Sequence, residues 1–323
     1  MVMVLLSLLA GCTAAPADGG TRVATTRIDL PAEPWALLPD GEGLWVVLSD
    51  HSVARYDPAT GRADGAPVRL PFTPWAVVAG HGDLWVGGQV DGRRRVTAEG
   101  NYPVIRVARV DPRRRRVTGV ISLPMRSNGN QLLSTPNAVW VTDPAEGPQS
   151  RIWRIDLATN RLLRPPLRGG EEPLALALQG GAVWSANHDD GTLRRMAATT
   201  GTLQATVDLG VEPHGMAVAP GAIWVADAHH QAVLRIDPTS GRTVARVPVG
   251  FEPGLLAATP TAVWVASPTD PDLPPGPAVR IDPATNRVRG EVPVDGRVTA
   301  LAAGAGQVWA VTSGPDALLR LPT

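Results

Sequence analysis

One stretch of this sequence decides the fold: residues 212–250, EPHGMAVAPGAIWVADAHHQAVLRIDPTSGRTVARVPVG. It contains short apolar segments separated by turn residues, and side chains alternate along 232–236 as they do in a β-strand. The turns at Pro220-Gly221 and at 237–241 (DPTSG) contain the Pro and Gly that tight turns favour. The stretch therefore predicts four strands, here named a to d, at 213–218, 222–226, 232–236 and 242–249.

The same unit recurs along the chain. An apolar residue followed by Trp marks strand b in seven units, at Trp45, Trp85, Trp140, Trp184, Trp224, Trp264 and Trp309. Successive tryptophans lie 40, 55, 44, 40, 40 and 45 residues apart, and a period of this length built from short strands is typical of β-propellers. We predict an all-β, seven-bladed propeller of four-stranded blades over residues 22–323. The last unit lacks strand d, so we expect residues 22–30 to supply it and close the ring.

The tryptophans divide into two groups. We interpret the seven strand-b residues as structural wedges between blades, because one buried indole removes about 150–250 Å² from water. That burial stabilises the fold by at most about 4–6 kcal/mol for each residue. Trp35 and Trp75 instead follow Pro34 and Pro74 at the start of strand a. This position predicts side chains near the central channel, where they would bind a ligand.

Composition excludes several classes of function. The chain has 323 residues with 30 basic and 30 acidic side chains, and this balance argues against a nucleic-acid-binding protein. Cys12 is the single cysteine, so no internal disulfide is possible. Neither a Gly-x-Ser-x-Gly elbow nor a His-Glu-x-x-His zinc helix is present.

The N-terminal segment has the pattern of an export signal. Residues 2–10 form an apolar run that ends in Leu-Ala-Gly-Cys12, which resembles the bacterial lipobox. The resemblance implies a signal peptide at 1–11, lipidation of Cys12 and a flexible tether at 12–21. The protein would then lie on the outer face of the cytoplasmic membrane or in the cell envelope. No Arg or Lys precedes the run, which leaves a start further upstream open.

The repeats diverge where strand a begins, on the face that also carries the b–c loops. Longer b–c insertions are expected there at 87–103, 143–151 and 267–278. Variable loops on a repeated scaffold usually carry binding. We therefore predict ligand-binding residues on this face: Trp35, Trp75, Asn130, Glu172 and Glu252.

Equivalent carboxylates stand at this face on three consecutive blades, at Glu172, Glu212 and Glu252. If they converge, their repulsion raises at least one pKa or attracts a cation. The alternative is that the repeat simply encodes them as solvated residues. The sequence leaves both interpretations open.

The repeat pattern resembles bacterial YVTN-type propellers and the virginiamycin B lyase (streptogramin lyase) family. The sharper match is Glu212-Pro213-His214-Gly215, followed by Trp224. The resemblance implies that His214 transfers a proton and that Glu212 helps to hold Mg²⁺ in an elimination that linearises a cyclic depsipeptide. Two positions depart from the family: Leu174 replaces a second histidine, and Ala228 replaces a metal-site glutamate.

Three hypotheses follow. The first is a non-enzymatic, monomeric, membrane-anchored binding or scaffold lipoprotein. It would need no cofactor, would contact the membrane only through its lipid, and would bind a protein, peptide, glycan or small molecule but not nucleic acid. The second is a Mg²⁺-dependent carbon–oxygen lyase acting through Glu212 and His214. The third is a small-ligand sensor with Trp35 and Trp75 as a stacking wall.

Overall fold

The computed structural model describes residues 26–41, 43–97, 100–129, 131–145, 147–267, 276–304 and 306–322. These residues form seven four-stranded antiparallel sheets arranged as the blades of one propeller. The predicted fold class is confirmed. The predicted signal peptide, Cys12, the tether and residues 22–25 lie outside the described residues, as does Asn130.

Each blade follows the predicted a-b-c-d order. Blade 1 contains β2 (Pro34–Asp40), β3 (Gly43–Leu48), β4 (Ser52–Tyr56) and β5 (Val68–Arg69); blade 2 contains β6 (Thr73–Gly80), β7 (Asp83–Thr97), β8 (Gly100–Asp111) and β9 (Arg116–Leu123). Blade 3 contains β10 (Leu132–Ser134), β11 (Ala138–Asp143), β12 (Arg151–Asp156) and β13 (Leu162–Leu167); blade 4 contains β14 (Pro173–Gln179), β15 (Ala182–Asn187), β16 (Thr192–Ala197) and β17 (Leu203–Asp208). Blade 5 contains β18 (Pro213–Ala219), β19 (Ala222–Asp227), β20 (Ala232–Ile236) and β21 (Thr243–Pro248); blade 6 contains β22 (Leu255–Ala258), β23 (Val263–Ala266), β24 (Ala278–Asp282) and β25 (Arg287–Val292). Blade 7 combines β26 (Arg297–Gly304), β27 (Gln307–Ser313) and β28 (Ala317–Leu321) with β1 (Arg27–Asp29).

The N-terminal strand closes the ring, as predicted. Arg27 of β1 lies opposite Leu319 of β28 in an antiparallel pair. The backbone N–H of Leu30 donates to the carbonyl of Asp316 at 3.0 Å, just beyond the strand. The last blade therefore has no unpaired outer edge along β28.

The seven strand-b tryptophans are buried between blades, and their predicted structural role is confirmed. Each is at most 4% exposed. Trp224 of blade 5 packs with Val263 and Val265 of blade 6, and Trp309 of blade 7 packs with Val46 of blade 1. The core is thus a ring of interfaces between neighbouring sheets.

An arginine lies directly opposite every wedge tryptophan, a feature to which we assigned no role from the sequence. The cross-strand pairs are Trp45–Arg55, Trp85–Arg109, Trp140–Arg154, Trp184–Arg195, Trp224–Arg235, Trp264–Arg280 and Trp309–Arg320. The Arg235 guanidinium lies 5.5 Å from the Trp224 ring centre and donates to Asn286 of blade 6 at 2.8 Å. The same stacking is found at Trp85, Trp140 and Trp184. It is favourable, so the arginines of these four pairs stabilise the fold.

The predicted b–c insertions differ in structure. The b–c insertion expected at 87–103 is not a loop, because β7 and β8 continue into it as a long two-stranded ribbon. The described residues of the 143–151 insertion include a 3₁₀ turn, Gly147–Gln149. Residues 268–275 of the predicted 267–278 insertion lie outside the described residues. Among the residues described, no helix has the length and apolar character needed to cross a bilayer.

Candidate functional site

An open cavity of about 700 Å³ lies at the centre of the ring. The first strand of each blade, or the loop leading into it, contributes to its wall. One lining residue from each of the seven blades is Trp35, Trp75, Leu132, Leu174, His214, Leu255 and Thr299. The cavity therefore draws on the part of the repeat where the units differ most.

Both predicted channel tryptophans line this cavity. Trp35 is 45% exposed, whereas Trp75 is half-buried. Gly129 lies so close to Trp75 that a Cβ at position 129 would come within 2.7 Å of its ring. Gly129 also has a φ of 73°, in the left-handed region that glycine adopts at little cost. Glycine at 129 therefore makes room for the indole.

Asp143 fixes the loop under Trp75, although we did not single out this side chain from the sequence. Its buried carboxylate accepts hydrogen bonds from the Ser127 backbone N–H at 3.0 Å and hydroxyl at 2.8 Å. It also accepts one from the Trp153 indole N–H at 3.1 Å. These bonds hold the chain that leads to Gly129. Asp143 is thus a positioning residue for the cavity wall.

The carboxylates predicted to converge do so only in part. Glu172 forms a compact group with His188 and Asp189, and one donor atom from each lies within 4.8 Å of the others. Glu212 and Glu252 are exposed, and their charges act on His214. Glu172, Glu212 and Glu252 are thus divided between two neighbouring sets of contacts.

Glu172 is held in an unfavourable environment for its charge. Partial burial raises the pKa of Glu172, and a hydrogen bond and charge repulsion from Asp189 raise it further. The backbone at Glu172 has a φ of 50°, which is uncommon for a residue with a side chain. Its N–H donates to the Ser150 hydroxyl at 3.0 Å. The side chain is therefore placed by fixed backbone contacts.

His214 lies beside this group and lines the cavity. Its ring and the His188 ring pack in a T-shaped arrangement, with 4.5 Å between ring centres. Its Nδ1 lies 3.3 Å from the Glu212 carbonyl oxygen, which can only accept a hydrogen bond. Burial lowers the pKa of His214, and the neighbouring His188 lowers it further. The neutral ring therefore presents Nε2 as its acceptor nitrogen.

The histidine pair of blade 5 has a different environment. His230 Nδ1 lies 2.9 Å from Asp227, a fully buried carboxylate that also accepts from Arg246 at 2.6 Å. The His229 and His230 rings are 5.0 Å apart, centre to centre. The Asp227 charge is thus balanced by partners within its own blade.

The residues around Glu212 do not fit the Mg²⁺ that the family resemblance implies. Mg²⁺ prefers an all-oxygen octahedral shell. Glu212 is exposed and is not part of the Glu172–His188–Asp189 group, whose donor atoms lie close together. The position expected to carry a second glutamate is Ala228, whose side chain offers no ligand. We derive no step through a magnesium ion at Glu212.

The signal for His188 and Asp189 was present in the sequence as the run His188-Asp189-Asp190 directly after strand b. Without the fold, this run gave no reason to prefer one of its residues as a partner for Glu172. The structure places His188 and Asp189 next to Glu172. Asp190 instead forms an ion pair with Arg194, with 3.2 Å between the carboxylate oxygen and the guanidinium nitrogen.

Comparison with known proteins identifies the fold alone. No protein-family model and no curated protein sequence matches this chain. A chain in the crystal structure of the mitotic checkpoint complex is similar over 100% of this chain and 99% of its own length, with a TM-score of 0.75 and 14% identity. The computationally designed Ika8 protein is similar over 91% of this chain and 98% of its own, with a TM-score of 0.60 and 14% identity. Both likenesses are to the fold of the chain.

Proposed function

We propose that this protein is an extracytoplasmic, membrane-anchored β-propeller that binds a ligand or protein partner at the mouth of its central cavity. One observation carries the proposal: all seven blades line an open cavity with the residues in which they differ, including the exposed indole of Trp35. An exposed aromatic ring at a cavity mouth is a typical contact for a partner. The structural neighbour from the mitotic checkpoint complex, a multi-protein assembly, is in line with protein binding in general.

Capture experiments with paired variants test this proposal. The protein is immobilised and exposed to native envelope extract, alongside Trp35→Ala and the control Leu203→Ala. Leu203 is 52% exposed but lies on the outer strand β17, away from the cavity. We expect a species that is retained by the wild type and by the control and is lost with Trp35→Ala. Equal capture by all three proteins would count against mouth binding.

The location of the protein rests on the lipobox-like segment ending at Cys12. Two acyl chains on one cysteine suffice for stable membrane attachment. Cys12→Ala is therefore expected to move the protein from the membrane fraction to the soluble fraction. A Cys12→Ala protein that stays with the membrane would exclude the lipid anchor.

A lyase acting at the same mouth is the second candidate, and the environment of His214 favours it. A histidine with a lowered pKa is neutral near pH 7 and is able to accept a proton. Elimination would open a cyclic depsipeptide without changing its mass, whereas hydrolysis would add one water. Incubation with such a lactone, followed by chromatography and mass spectrometry, separates the two reactions. A lyase would give a product of unchanged mass that is absent with His214→Ala, and no conversion would exclude this candidate for that substrate.

A further inference from the structure

Three side chains with metal-binding atoms meet at the mouth of blade 4: Glu172, His188 and Asp189. We propose that they bind a divalent transition-metal ion, with Zn²⁺ preferred, at the rim of the central cavity. This site shares no residue with the Glu212–His214 pair that the family resemblance implies. The proposal does not depend on partner binding, because a metal ion can bind here whether or not the mouth is covered.

The fold brings the two segments together rigidly. Glu172 directly precedes strand a of blade 4 (β14), and His188 directly follows strand b (β15). The His188 backbone N–H donates to the Glu172 carbonyl at 3.0 Å, which ties the two strand ends together. Ligands placed at the ends of paired strands are held more precisely than ligands on a free loop.

The imidazole of His188 supplies an independent reason to expect a ligand. Its Nδ1 atom is buried and has no hydrogen-bond partner among the described residues. Buried polar atoms without a partner are costly and rare in native proteins. The His188 and His214 rings pack in a T-shaped arrangement, with 4.5 Å between ring centres. A metal ion bound through Nδ1 would give this atom the partner that it lacks.

The two carboxylates point to the same conclusion. The Glu172 and Asp189 carboxyl groups lie within 4.8 Å of each other, and neither forms an ion pair with an arginine among the described residues. Two ionised carboxylates this close repel each other, and a bound cation relieves that repulsion. The next residue, Asp190, is instead neutralised by Arg194 at 3.2 Å. The fold thus pairs Asp190 with an arginine, whereas Glu172 and Asp189 have no such ion pair among the described residues.

The donor set selects the class of metal. One imidazole nitrogen with two carboxylate oxygens suits Zn²⁺, whereas Mg²⁺ and Ca²⁺ prefer oxygen-only shells. Ligand atoms on one tetrahedral Zn²⁺ lie about 3.4 Å apart, given bonds of about 2.0–2.1 Å. Asp189 is exposed, so its side chain can rotate to close the present separation of up to 4.8 Å. Three protein ligands leave one position open for water or an oxygen of a bound molecule.

Isothermal titration calorimetry tests the site directly. The full chain is purified in detergent without a polyhistidine tag, stripped of metal, and titrated with ZnCl₂ and separately with MgCl₂. We expect one Zn²⁺ per chain, bound more tightly than Mg²⁺. Asp189→Asn and His188→Gln should each weaken Zn²⁺ binding at least about tenfold. The control is the double variant His229→Gln/His230→Gln, which should bind Zn²⁺ as the wild type does.

Four results would overturn the proposal: no Zn²⁺ binding, binding unaffected by both substitutions, binding lost in the control, or equal affinity for Mg²⁺. Thermal unfolding in the presence of EDTA checks that each variant is folded. Asp189→Asn changes an exposed side chain without changing its shape, so it carries the test even if His188→Gln fails to fold. Visible absorption of bound Co²⁺ gives a second readout, since its spectrum should change when a ligand is replaced.

Discussion

Blades 4 and 5 are consecutive copies of one repeat, but they treat charge at the cavity mouth in opposite ways. At the end of strand b, blade 5 has Asp227, which is fully buried and bonded to Arg246 and His230. Blade 4 has the neutral Asn187 at this position, hydrogen-bonded to Thr192 at 3.0 Å. In blade 5 the carboxylate is satisfied inside the sheet.

In blade 4 the titratable residues His188 and Asp189 come immediately after strand b. His188 and Asp189 lie against Glu172, without an arginine ion pair to the cluster among the described residues. Residues 187–190 (NHDD) and 227–230 (DAHH) differ at all four positions. The comparison teaches that exchanges within a repeat can change whether a carboxylate is paired inside its own blade. A carboxylate paired within its blade stabilises the fold, whereas carboxylates left together at the rim are available to a ligand.

The largest effect is expected where the two blades are alike. Trp184→Ala and Trp224→Ala should each lower the free energy of unfolding by about 3–5 kcal/mol, because each leaves a cavity between two sheets. Urea denaturation measures the loss. Trp35→Ala at the mouth should change stability by no more than about 0.5 kcal/mol. A loss at Trp35 as large as at the wedges would remove the distinction between structural and mouth tryptophans.

The next effect separates the two blades. Arg246→Ala should destabilise the protein by about 1.5–3 kcal/mol, since the buried Asp227 carboxylate loses a charged hydrogen bond. The same urea experiment measures it, with Arg242→Ala as the control. Arg242 precedes the same strand but forms no ion pair with a described residue. Equal, small effects of both substitutions would show that Asp227 does not depend on Arg246.

Glu172→Gln in blade 4 should behave differently from Arg246→Ala. Without metal, it should leave the free energy of unfolding within about 0.5 kcal/mol of the wild type or raise it slightly, because it removes repulsion from Asp189. Chemical denaturation in EDTA is the measurement. A loss comparable to that of Arg246→Ala would mean that Glu172 is a structural residue and would break the contrast between the blades.

Local signals allowed most of the fold to be predicted from the sequence. The tryptophan recurs in every unit and DPTSG-type turns recur at 57–61, 237–241 and 282–286, so strands such as 232–236 were located to the residue. The ribbon formed by β7 and β8 was missed because its extension is rich in Gly and Arg and lacks an apolar alternation. Local pattern therefore predicts the blades better than their extensions.

The site was less accessible to sequence reasoning. Alignment of the repeats identified Glu172 and His214, but the partners of Glu172 depend on the register of two strands and on a backbone φ of 50°. A sequence contains no direct signal for such geometry. The burial of Asp227 and its pairing with Arg246 likewise follow from the fold, because these two residues are 19 positions apart in the chain.

The smallest expected effect concerns Asp237, in the turn between strands c and d of blade 5. Its carboxylate accepts hydrogen bonds from residues of the same turn. Hydrogen bonds from the Thr239 backbone and the Ser240 side chain lower the pKa of Asp237. Its contribution to stability is present above the ordinary Asp pKa of about 4 and is lost as pH falls through the lowered value. Asp237→Asn should therefore lose slightly less stability than the wild type between about pH 5 and about pH 2.5. Urea midpoints at both pH values measure this, and an identical acid loss in the two proteins would contradict it.

The most direct test of the contrast between blades 4 and 5 is a crystal structure grown with Zn²⁺, with anomalous diffraction measured at the zinc absorption edge. The account predicts one strong peak at the mouth of blade 4, about 2.0–2.2 Å from donor atoms of Glu172, His188 and Asp189. Blade 5 should show no peak beside His230, because Asp227 is already paired. A peak at His229 or His230 with none at Glu172 would contradict the account.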